Sequence, residues 1–323
     1  MKALLVGYKA SDLDCFRFDG ELTVHELDIY HAHAVAAVHP GLNVVCSAHL
    51  PRTASDGSKW DRIFFRTGPK LMSGELSLDL LQEAYGILAA DAPAARVWKE
   101  RLVVDYIGRE RDRNDLVEKV RDDPMRVRSF RAEWSASVPD GNRLTFVSSP
   151  GCFCHRRLDE GGLALAEVVT RDLERLPDPM RLIDMGCGCG LVGLLVADFV
   201  RSRRSSPPGL LLVDSHSRAV EAARENAAKF GIAADVAMCD NGIDGHEELA
   251  GAFDVFVGNP PYYSDYRIAD VFLKTAVKAL KRGGVCYSVC KNAAGLEPVQ
   301  KRYFDTVEIV NRRGYAVLRS VKG

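Results

Sequence analysis

Apolar positions in the second half of the chain follow two alternating patterns. Short runs rich in Val, Leu, Ile and Phe have the length of buried strands, whereas longer segments carry apolar residues at helical spacing. The runs predict strands at 144–147, 181–184, 210–213, 235–238, 253–257 and 285–289, and the periodic segments predict helices at 162–173, 191–201, 217–230 and 268–280. Strands that alternate with helices of this length predict a parallel, doubly wound α/β sheet.

The end of the chain departs from this alternation. Two strand-like runs, 306–310 and 315–318, flank a turn that contains Asn311 and Gly314. Asn and Gly between two such runs are typical of an antiparallel hairpin. The second half is therefore expected to be a mostly parallel sheet that ends in a hairpin.

The first half also has an α/β pattern. Strands are predicted at 2–6, 42–45, 62–65 and 102–104, with a helix-permissive stretch rich in His and Ala between the first two. A helix is predicted at 76–88, with Ser73 as its N-cap. Segment 96–131 mixes basic and acidic residues, which indicates either a solvated helix with a linker or an RNA-facing patch of arginines: Arg109, Arg111, Arg113, Arg126 and Arg128. We expect domains at 1–130 and 131–323.

Composition narrows the protein's class. A chain of 323 residues is long enough for two domains, and 43 basic against 44 acidic residues, a net charge of −1, leave no polybasic arm or acidic tail. The longest nearly apolar run, 191–200, is shorter than the ~20 residues of a membrane helix, and the first residues lack a signal-peptide pattern. The nine cysteines include two C-x-C pairs without the spacing of zinc ligands, so we expect no metal and reduced thiols in a cytoplasmic protein.

A glycine-rich loop follows the strand at 181–184 and opens the next helix. The loop runs from Asp184 through Gly186, Gly188 and Gly190, and Asp214 ends the following strand. Glycines let the backbone turn sharply and approach a ligand closely. An acidic side chain at the end of the next strand can accept hydrogen bonds from both hydroxyls of a ribose. The pattern predicts a nucleoside-cofactor site at the carboxyl edge of the sheet.

Two cofactor classes compete for this loop. Gly188, Gly190 and Gly193 match the dinucleotide motif G-x-G-x-x-G, with Asp214 the expected ~20 residues further on. The alternative motif, D-x-G-x-G-x-G from Asp184, suits S-adenosylmethionine (SAM), because an acidic residue attracts the sulfonium cation and repels a phosphate. The glycines alone leave both alternatives open.

A second motif favours SAM. Asn259-Pro260-Pro261-Tyr262 follows the strand at 253–257. The Asn259 amide oxygen and the Pro260 carbonyl can accept the two N–H groups of an exocyclic amine and direct its lone pair at a methyl group. Proline has a fixed φ and no N–H, and Tyr262 offers a flat face for stacking a base. Proximity and orientation would then provide most of the rate enhancement.

A third segment completes the expected cofactor site. Cys239-Asp240-Asn241-Gly242 follows the strand at 235–238, where contacts with an adenine would lie. Asp240 or Asn241 could pair with the adenine amino group. A plain turn explains the same residues without a ligand.

With these motifs, the chain resembles the bacterial small-subunit ribosomal RNA guanine-N2 methyltransferase family. The resemblance rests on 150–153 and 158–161 before the helix, on 182–188, Asp214, 259–262 and the tail at 314–317, and on 60–65 in the first half. It implies two tandem Rossmann-like class I methyltransferase domains, the second with a seven-stranded, mostly parallel sheet that ends in an antiparallel hairpin. It also implies that the first copy is degenerate and holds RNA, since 1–130 lacks both motifs. The family more often has Phe at the position of Tyr262, which is commoner in adenine-N6 and glutamine methyltransferases.

The expectation is therefore an enzyme that transfers a methyl group from SAM to the N2 amine of a guanine in small-subunit ribosomal RNA. Asp184, Gly186, Gly188, Gly190, Asp214, Asp240 and Asn241 are expected to hold SAM, and Asn259, Pro260 and Tyr262 to act on the amine and the base. The expected partner is ribosomal RNA or the small ribosomal subunit and not a membrane, and both a monomer and a homodimer are compatible. The alternatives are methylation of adenine N6 or of a protein glutamine, and a non-catalytic RNA-binding or ribosome-assembly module.

Overall fold

The structure, a computed structural model, describes residues 1–14, 16–66, 73–89, 96–98, 101–103, 105–106, 114–117, 129–261 and 266–323. The chain divides into two compact units. Unit 1 comprises Met1–Arg131 together with His216–Arg218, and unit 2 comprises Ala132–Ser215 and Ala219–Gly323. The five arginines of the predicted RNA-facing patch lie outside the described residues.

Unit 1 is built on a sheet whose first four strands are parallel. Its described strands are β1 (Lys2–Val6), β2 (Glu21–Glu26), β3 (Asn43–Cys46), β4 (Arg62–Arg66), β5 (Arg96–Trp98), β6 (Arg101–Val103), β7 (Asp105–Tyr106) and β8 (Asn114–Val117). Within the described residues the main sheet has six strands in the order β3-β2-β1-β4-β8-β7, and β5 and β6 form a separate antiparallel pair. The strands predicted at 2–6, 42–45 and 62–65 are confirmed, whereas β2 was not predicted.

The helices described in unit 1 are α1 (Ala10–Leu13), α2 (Ile29–Val38) and α3 (Gly74–Ile87). The Ser73 side chain accepts a hydrogen bond from Leu76 N (3.2 Å), which confirms the predicted N-cap of α3. Asp28 caps α2 in the same way by accepting from Tyr30 N (2.9 Å). Each cap satisfies a backbone donor that the first turn of the helix leaves unpaired.

Unit 2 contains the predicted doubly wound sheet. Its strands are β9 (Ala132–Ala136), β10 (Leu144–Ser148), β11 (Arg181–Met185), β12 (Gly209–Asp214), β13 (Asp235–Met238), β14 (Phe253–Gly258), β15 (Leu280–Cys290), β16 (Glu308–Arg312) and β17 (Tyr315–Val321). Among residues 129–261 and 266–323, seven strands form one sheet in the order β13-β12-β11-β14-β15-β17-β16, and β9 and β10 form an antiparallel pair. The expected fold, a mostly parallel sheet that ends in an antiparallel hairpin, is confirmed.

Helices cover both faces of this sheet. They are α4 (Glu160–Arg171), α5 (Leu191–Arg201), α6 (Ser217–Phe230), α7 (Arg267–Ala279) and α8 (Ala293–Gln300), with two single-turn 3-10 helices at Leu173–Arg175 and Glu247–Leu249. Every residue of β14 is buried, because a parallel strand with helices on both faces has no solvent side. The two faces of the sheet pack into separate apolar clusters.

The terminal hairpin turns through Arg313 and Gly314, both with positive φ (52° and 72°). Two central residues with positive φ form the tight turn whose twist matches that of the flanking strands. In the part of the chain that the structure describes, no helix has the length and apolar character needed to cross a bilayer, and no cluster of metal-ligating side chains occurs. The eight cysteines described there are free thiols.

Candidate active site

Three of the predicted motifs meet at the carboxyl edge of the unit 2 sheet. Met185, the last residue of β11, pairs with Val213 of β12 on one side and with Gly258 of β14 on the other. The glycine loop, Asp214 and Asn259 therefore follow these paired positions on three adjacent strands. Ligands of open α/β sheets bind at this edge, where the strand order reverses direction on either side of the first strand.

The glycine loop is anchored at its start and open in its middle. Gly186 N and Cys187 N both donate to the Val213 carbonyl (2.8 and 3.0 Å). Gly186 and Gly188 have positive φ (68° and 55°), but they differ in their surroundings. A Cβ on Gly186 would lie 2.7 Å from the Phe272 ring, whereas a Cβ on Gly188 would have no described atom within 4 Å. The backbone at Gly188 thus borders open space, as close approach of a ligand requires.

Asp184 lies beneath this loop. Its side chain is only 2% exposed, and its Oδ2 accepts a hydrogen bond from Gly193 N in the first turn of α5 (2.8 Å). Burial raises the pKa of Asp184 from 3.8 to about 7, although the Gly193 N–H opposes the shift. This hydrogen bond joins β11 to the start of α5 and thereby fixes the distance between the two ends of the glycine loop.

The acidic residue at the end of β12 contacts the loop directly. Asp214 Oδ2 accepts a hydrogen bond from Gly188 N (2.9 Å). The Asp214 carbonyl accepts from Cys239 N (3.0 Å), so the segment after β13 begins beside it. In that segment Asp240 is half-buried and Asn241 is exposed. The structure thus brings the predicted cofactor residues after β11, β12 and β13 to one edge.

The turn after β14 is held by a residue for which the sequence analysis predicted no catalytic or binding role. Asn259 Nδ2 donates a hydrogen bond to Asp159 Oδ2 (2.8 Å). Because Oδ1 and Nδ2 lie on opposite sides of the amide carbon, this contact directs the Asn259 oxygen away from Asp159. Pro260 is buried beside it, and Tyr262 lies outside the described residues.

Asp159 also begins α4. Its Oδ1 accepts from Gly161 N (3.0 Å), and burial raises the pKa of its carboxyl while the donors from Gly162, Asn259 and Gly161 oppose that shift. One carboxylate therefore caps a helix and orients the amide of Asn259 in the turn after β14. The signal in the sequence was Asp159 before two glycines at a predicted helix start, which is typical of an N-cap.

A second residue without a predicted role supports both loops from below. Phe272 of α7 lies 2.7 Å from a Cβ placed on Gly186 and 2.9 Å from one placed on Gly258. The ring is buried, and Gly258 ends β14 while Gly186 directly follows the adjacent strand β11. Any side chain at either glycine would displace this ring and change the distance between the loop and the turn.

The donor and acceptor set at this edge fits SAM. The open cradle at Gly188 admits a ligand against the backbone, and the Asp214 carboxylate beside it can accept from ribose hydroxyls. The acidic side chains of Asp214 and Asp240 at this edge favour the cationic sulfonium of SAM over the pyrophosphate of a dinucleotide.

Comparisons with known proteins bear on this site. The family model of the methyltransferase small domain matches residues 143–319. A protein of Stutzerimonas stutzeri (strain A1501) named ribosomal RNA small subunit methyltransferase C is 31% identical over 185 residues, which are 56% of this chain and 52% of the relative. The protein of the same name in Pseudomonas paraeruginosa (strain DSM 24068 / PA7) is 34% identical over 174 residues, 53% of this chain and 48% of the relative. The chain thus matches about half the length of these curated relatives.

A solved structure resembles the whole chain. The T. thermophilus 16S rRNA N2 G1207 methyltransferase, solved with AdoMet and guanosine, has a TM-score of 0.70 and 19% identity, and the match covers 100% of this chain and 88% of that one. At this identity the likeness shows a shared fold. It extends through both units, including unit 1, which lies outside the family match.

Proposed function

The chain belongs to the methyltransferase small domain family, and from this premise we propose that it is a SAM-dependent N-methyltransferase acting on the N2 amine of a guanine in small-subunit ribosomal RNA. The observation that carries the proposal is the pairing of Met185 with both Val213 and Gly258. This register brings the glycine loop and Asn259 to neighbouring strand ends. A methyl donor on the loop would lie next to an amine held by the turn.

In this proposal SAM is held by the glycine loop and by the acids after β12 and β13. Gly188 gives the ligand access to the backbone, Asp214 accepts from the ribose, and Asp240 and Asn241 contact the adenine. Gly186, Gly190 and Asp184 keep the loop in its bound shape. The cofactor supplies an activated methyl group on a sulfonium, so that the protein needs no strong general base.

The catalytic turn orients the acceptor amine. The Asn259 oxygen and the Pro260 carbonyl each accept one N–H of the amine, so that its lone pair faces the methyl carbon. Asp159 supports this geometry through its hydrogen bond with Asn259 Nδ2. Tyr262 stacks on the base, which orients the ring by a contact of about 1–3 kcal/mol. The proton leaves to solvent after transfer.

The substrate and the role of unit 1 are part of the same proposal. The two curated relatives are named for the small ribosomal subunit, and the structural neighbour was solved with guanosine. Unit 1 (expected domain 1–130) is a degenerate methyltransferase-like domain that assists RNA binding, and 131–323 is the catalytic domain. Activity on ribosomal RNA would take place in the cytoplasm, on free RNA or on the small subunit.

The test is a methyl-transfer assay with defined products. The purified chain is incubated with labelled SAM and with either 16S rRNA or small subunits, and the RNA is digested to nucleosides for mass spectrometry. N2-methylguanosine as the labelled product supports the proposal. Labelled 6-methyladenosine would contradict the assignment of the base, labelled methylglutamine in the subunit proteins would contradict an RNA substrate, and saturable RNA binding without transfer would contradict an enzyme.

Cofactor class has a separate test. A ligand that binds the native state raises its melting temperature by mass action. We expect S-adenosylhomocysteine to stabilise the chain and NAD to leave it unchanged. Stabilisation by NAD alone would overturn the assignment of the loop.

A further inference from the structure

The parallel core of unit 1 repeats that of unit 2. The order β3-β2-β1-β4 corresponds to β13-β12-β11-β14, and all of these neighbours are parallel in both units. The register is also the same. Val6, the last residue of β1, pairs with His25, just as Met185 at the end of β11 pairs with Val213. Positions at the carboxyl edges of the two sheets can therefore be compared one by one.

In this comparison Glu26 occupies the position in unit 1 that is equivalent to Asp214 in unit 2. Each is the last residue of the second strand and directly follows the residue that pairs with the end of the first strand. The backbone turn is shared as well. Gly7 N donates to the carbonyl of the paired residue on β2 (3.1 Å), as Gly186 N does to that on β12 (2.8 Å), and both glycines have positive φ. Unit 1 thus has an acidic side chain where unit 2 has its proposed ribose acid.

A cavity of about 260 Å³ lies at this edge of unit 1. Its lining includes apolar side chains of Val6, Leu27 and Leu76 and polar side chains of Lys9, His25, Glu26 and His31. Every lining residue belongs to unit 1. The volume falls just below the ~300–1,000 Å³ of pockets for drug-sized ligands, which suits a nucleoside better than a dinucleotide. We call this space the Glu26 cavity.

Two buried acceptors line the Glu26 cavity without a protein partner. Glu26 is 6% exposed, and no donor of the described residues reaches its Oε1. His25 is fully buried, with Nε2 2.9 Å from the Ser47 carbonyl and with Nδ1 unpartnered in the same part of the chain. With the proton on Nε2, Nδ1 is an acceptor. Such groups are normally satisfied in folded proteins, so this pair calls for a ligand that donates hydrogen bonds.

The charge environment of Glu26 is compatible with this interpretation. Burial raises the pKa of Glu26 to about 8, Asp28 adds to the shift, and Lys9 and Arg66 oppose it. Burial also lowers the pKa of His25 to about 4, so that its ring is neutral near pH 7. Glu26 and His25 are thus both uncharged near pH 7, and the lining adds one basic and one acidic side chain, Lys9 and Asp28, so it has no excess of either sign against an uncharged ligand with hydroxyl donors.

We propose that the Glu26 cavity is a second ligand site, and that it binds a ribonucleoside through hydrogen bonds from the ribose hydroxyls to Glu26. The loop after β1 differs from the glycine loop after β11, and this difference distinguishes the two sites. The former contains the single glycine Gly7, is followed by the fully buried Tyr8, and enters α1 at once. Unit 2 has three glycines in the corresponding loop, and its Gly188 N donates to Asp214, whereas no donor of the described residues reaches Glu26 Oε1. The site is therefore expected to take a nucleoside and not SAM. The proposal does not depend on the methyltransferase reaction.

The test is calorimetric titration of the full chain, first saturated with S-adenosylhomocysteine so that the unit 2 edge is occupied. We expect adenosine to bind saturably and 2′,3′-dideoxyadenosine to bind at least about 10-fold more weakly, because the ribose donors are missing. Glu26→Gln should weaken the binding of adenosine by at least about 10-fold. The control Glu21→Gln, at the other end of β2 where Glu21 accepts from Ser55 Oγ (2.6 Å), should not change adenosine binding.

A second variant covers the case in which Glu26→Gln does not fold. His31→Trp enlarges a half-buried side chain at the wall of the cavity and should abolish adenosine binding while the melting temperature is kept. Absence of saturable binding to the wild type would overturn the proposal. So would equal affinities for the two nucleosides, or binding that survives Glu26→Gln and His31→Trp but is lost in Asp214→Ala.

A further binding experiment distinguishes a free nucleoside from the 3′-terminal nucleoside of an RNA chain. Within an RNA chain only the 3′-terminal ribose has both hydroxyls free. A short RNA that binds with an affinity sensitive to both Glu26→Gln and 3′-phosphorylation identifies the end of an RNA chain as the occupant. Adenosine binding without such RNA binding identifies a free nucleoside.

Discussion

At the scale of the residue, the orientation of Asn259 depends on Asp159. Asp159→Asn keeps an oxygen for Gly161 N but can present an amide N–H to Asn259, so that the Asn259 amide rotates. We expect turnover to fall by about 10- to 100-fold, because misplacement near 1 Å has costs of this order. The affinity for S-adenosylhomocysteine should stay within about 2-fold, as calorimetry and steady-state kinetics can measure.

The control for this variant is Glu160→Gln in the same first turn of α4, whose exposed side chain pairs with Arg313. It should leave turnover unchanged. An equal loss of turnover in both variants would mean that Asp159 acts through helix stability alone.

Two glycines of the loop should respond differently to alanine. At Gly188 the added methyl group meets no described atom, so Gly188→Ala should lower the free energy of unfolding only by the ~1 kcal/mol that a left-handed backbone costs a residue with a side chain. The same substitution should weaken the binding of S-adenosylhomocysteine by more than about 10-fold, because the methyl group fills the space that the ligand needs. Gly186→Ala adds a clash with Phe272 and should lower the free energy of unfolding further. Urea unfolding and calorimetry separate the two effects, and equal ligand affinity in Gly188→Ala and the wild type would contradict the proposed cradle.

At this scale the sequence predicted the types of residue at the site but not their supports. Asp214 and Asn259 follow strands, and strand ends are readable from apolar runs. Asp159 is joined by a hydrogen bond to Asn259, 100 positions away, and Phe272 closely approaches Gly258, 14 positions away. No local sequence pattern encodes such contacts. Asp184 was expected to attract a cation, whereas its described contact is structural.

At the scale of the element, the junction of β11 and α5 predicts a pH dependence. The pKa of Asp184 is about 7 in the fold against 3.8 ordinarily, so between these values the folded state keeps a proton that the unfolded state has released. The free energy of unfolding therefore falls as pH rises from about 4 to about 7 and levels off above that. At roughly 1.4 kcal/mol per pKa unit, the effect amounts to a few kcal/mol.

Asp184→Asn keeps an oxygen for Gly193 N and removes the titration. Urea unfolding of both proteins at pH 5 and pH 8 isolates the contribution of this carboxyl. We expect the wild type to lose stability relative to the variant at pH 8. A difference between the proteins that is independent of pH would contradict the raised pKa.

The terminal hairpin is joined to α4 by a buried carboxylate. Glu167 is 1% exposed, its Oε1 accepts from Arg313 Nε (2.9 Å), and its Oε2 accepts from Arg312 Nε. Glu167→Gln removes the charge while keeping the shape, and we expect a loss of about 1.5–3 kcal/mol, the range for hydrogen bonds to charged groups. Chemical denaturation measures it, with Glu160→Gln as the exposed control on the same helix, and an equal loss in both would contradict this assignment.

Elements were predictable where the apolar pattern was clean. Every strand predicted at 181–289 is present, since burial on both faces requires continuous apolar runs. β2 escaped prediction because three of its buried residues, Thr23, His25 and Glu26, are polar. In unit 1 this departure from the usual pattern coincides with the Glu26 cavity, as is expected where function competes with local sequence rules.

At the scale of the whole molecule, the internal repeat was only partly visible in the sequence. The two parallel cores share strand order and register, but their loops after the first strand differ in glycine content. The sequence motifs therefore reveal the methyltransferase-like unit only in the second half of the chain, whereas strand order and register reveal the repeat in both units. The likeness of the full chain to a single solved structure, at a TM-score of 0.70, agrees with this organisation.

The central claim is that one sheet edge holds a methyl donor beside an amine oriented by Asn259. Its most direct test is Asn259→Ala, measured in parallel for S-adenosylhomocysteine affinity by calorimetry and for methyl transfer to ribosomal RNA under single-turnover conditions. We predict an affinity within about 2-fold of the wild type and a transfer rate lower by at least about 100-fold. Methyl transfer at the wild-type rate in Asn259→Ala would contradict the account.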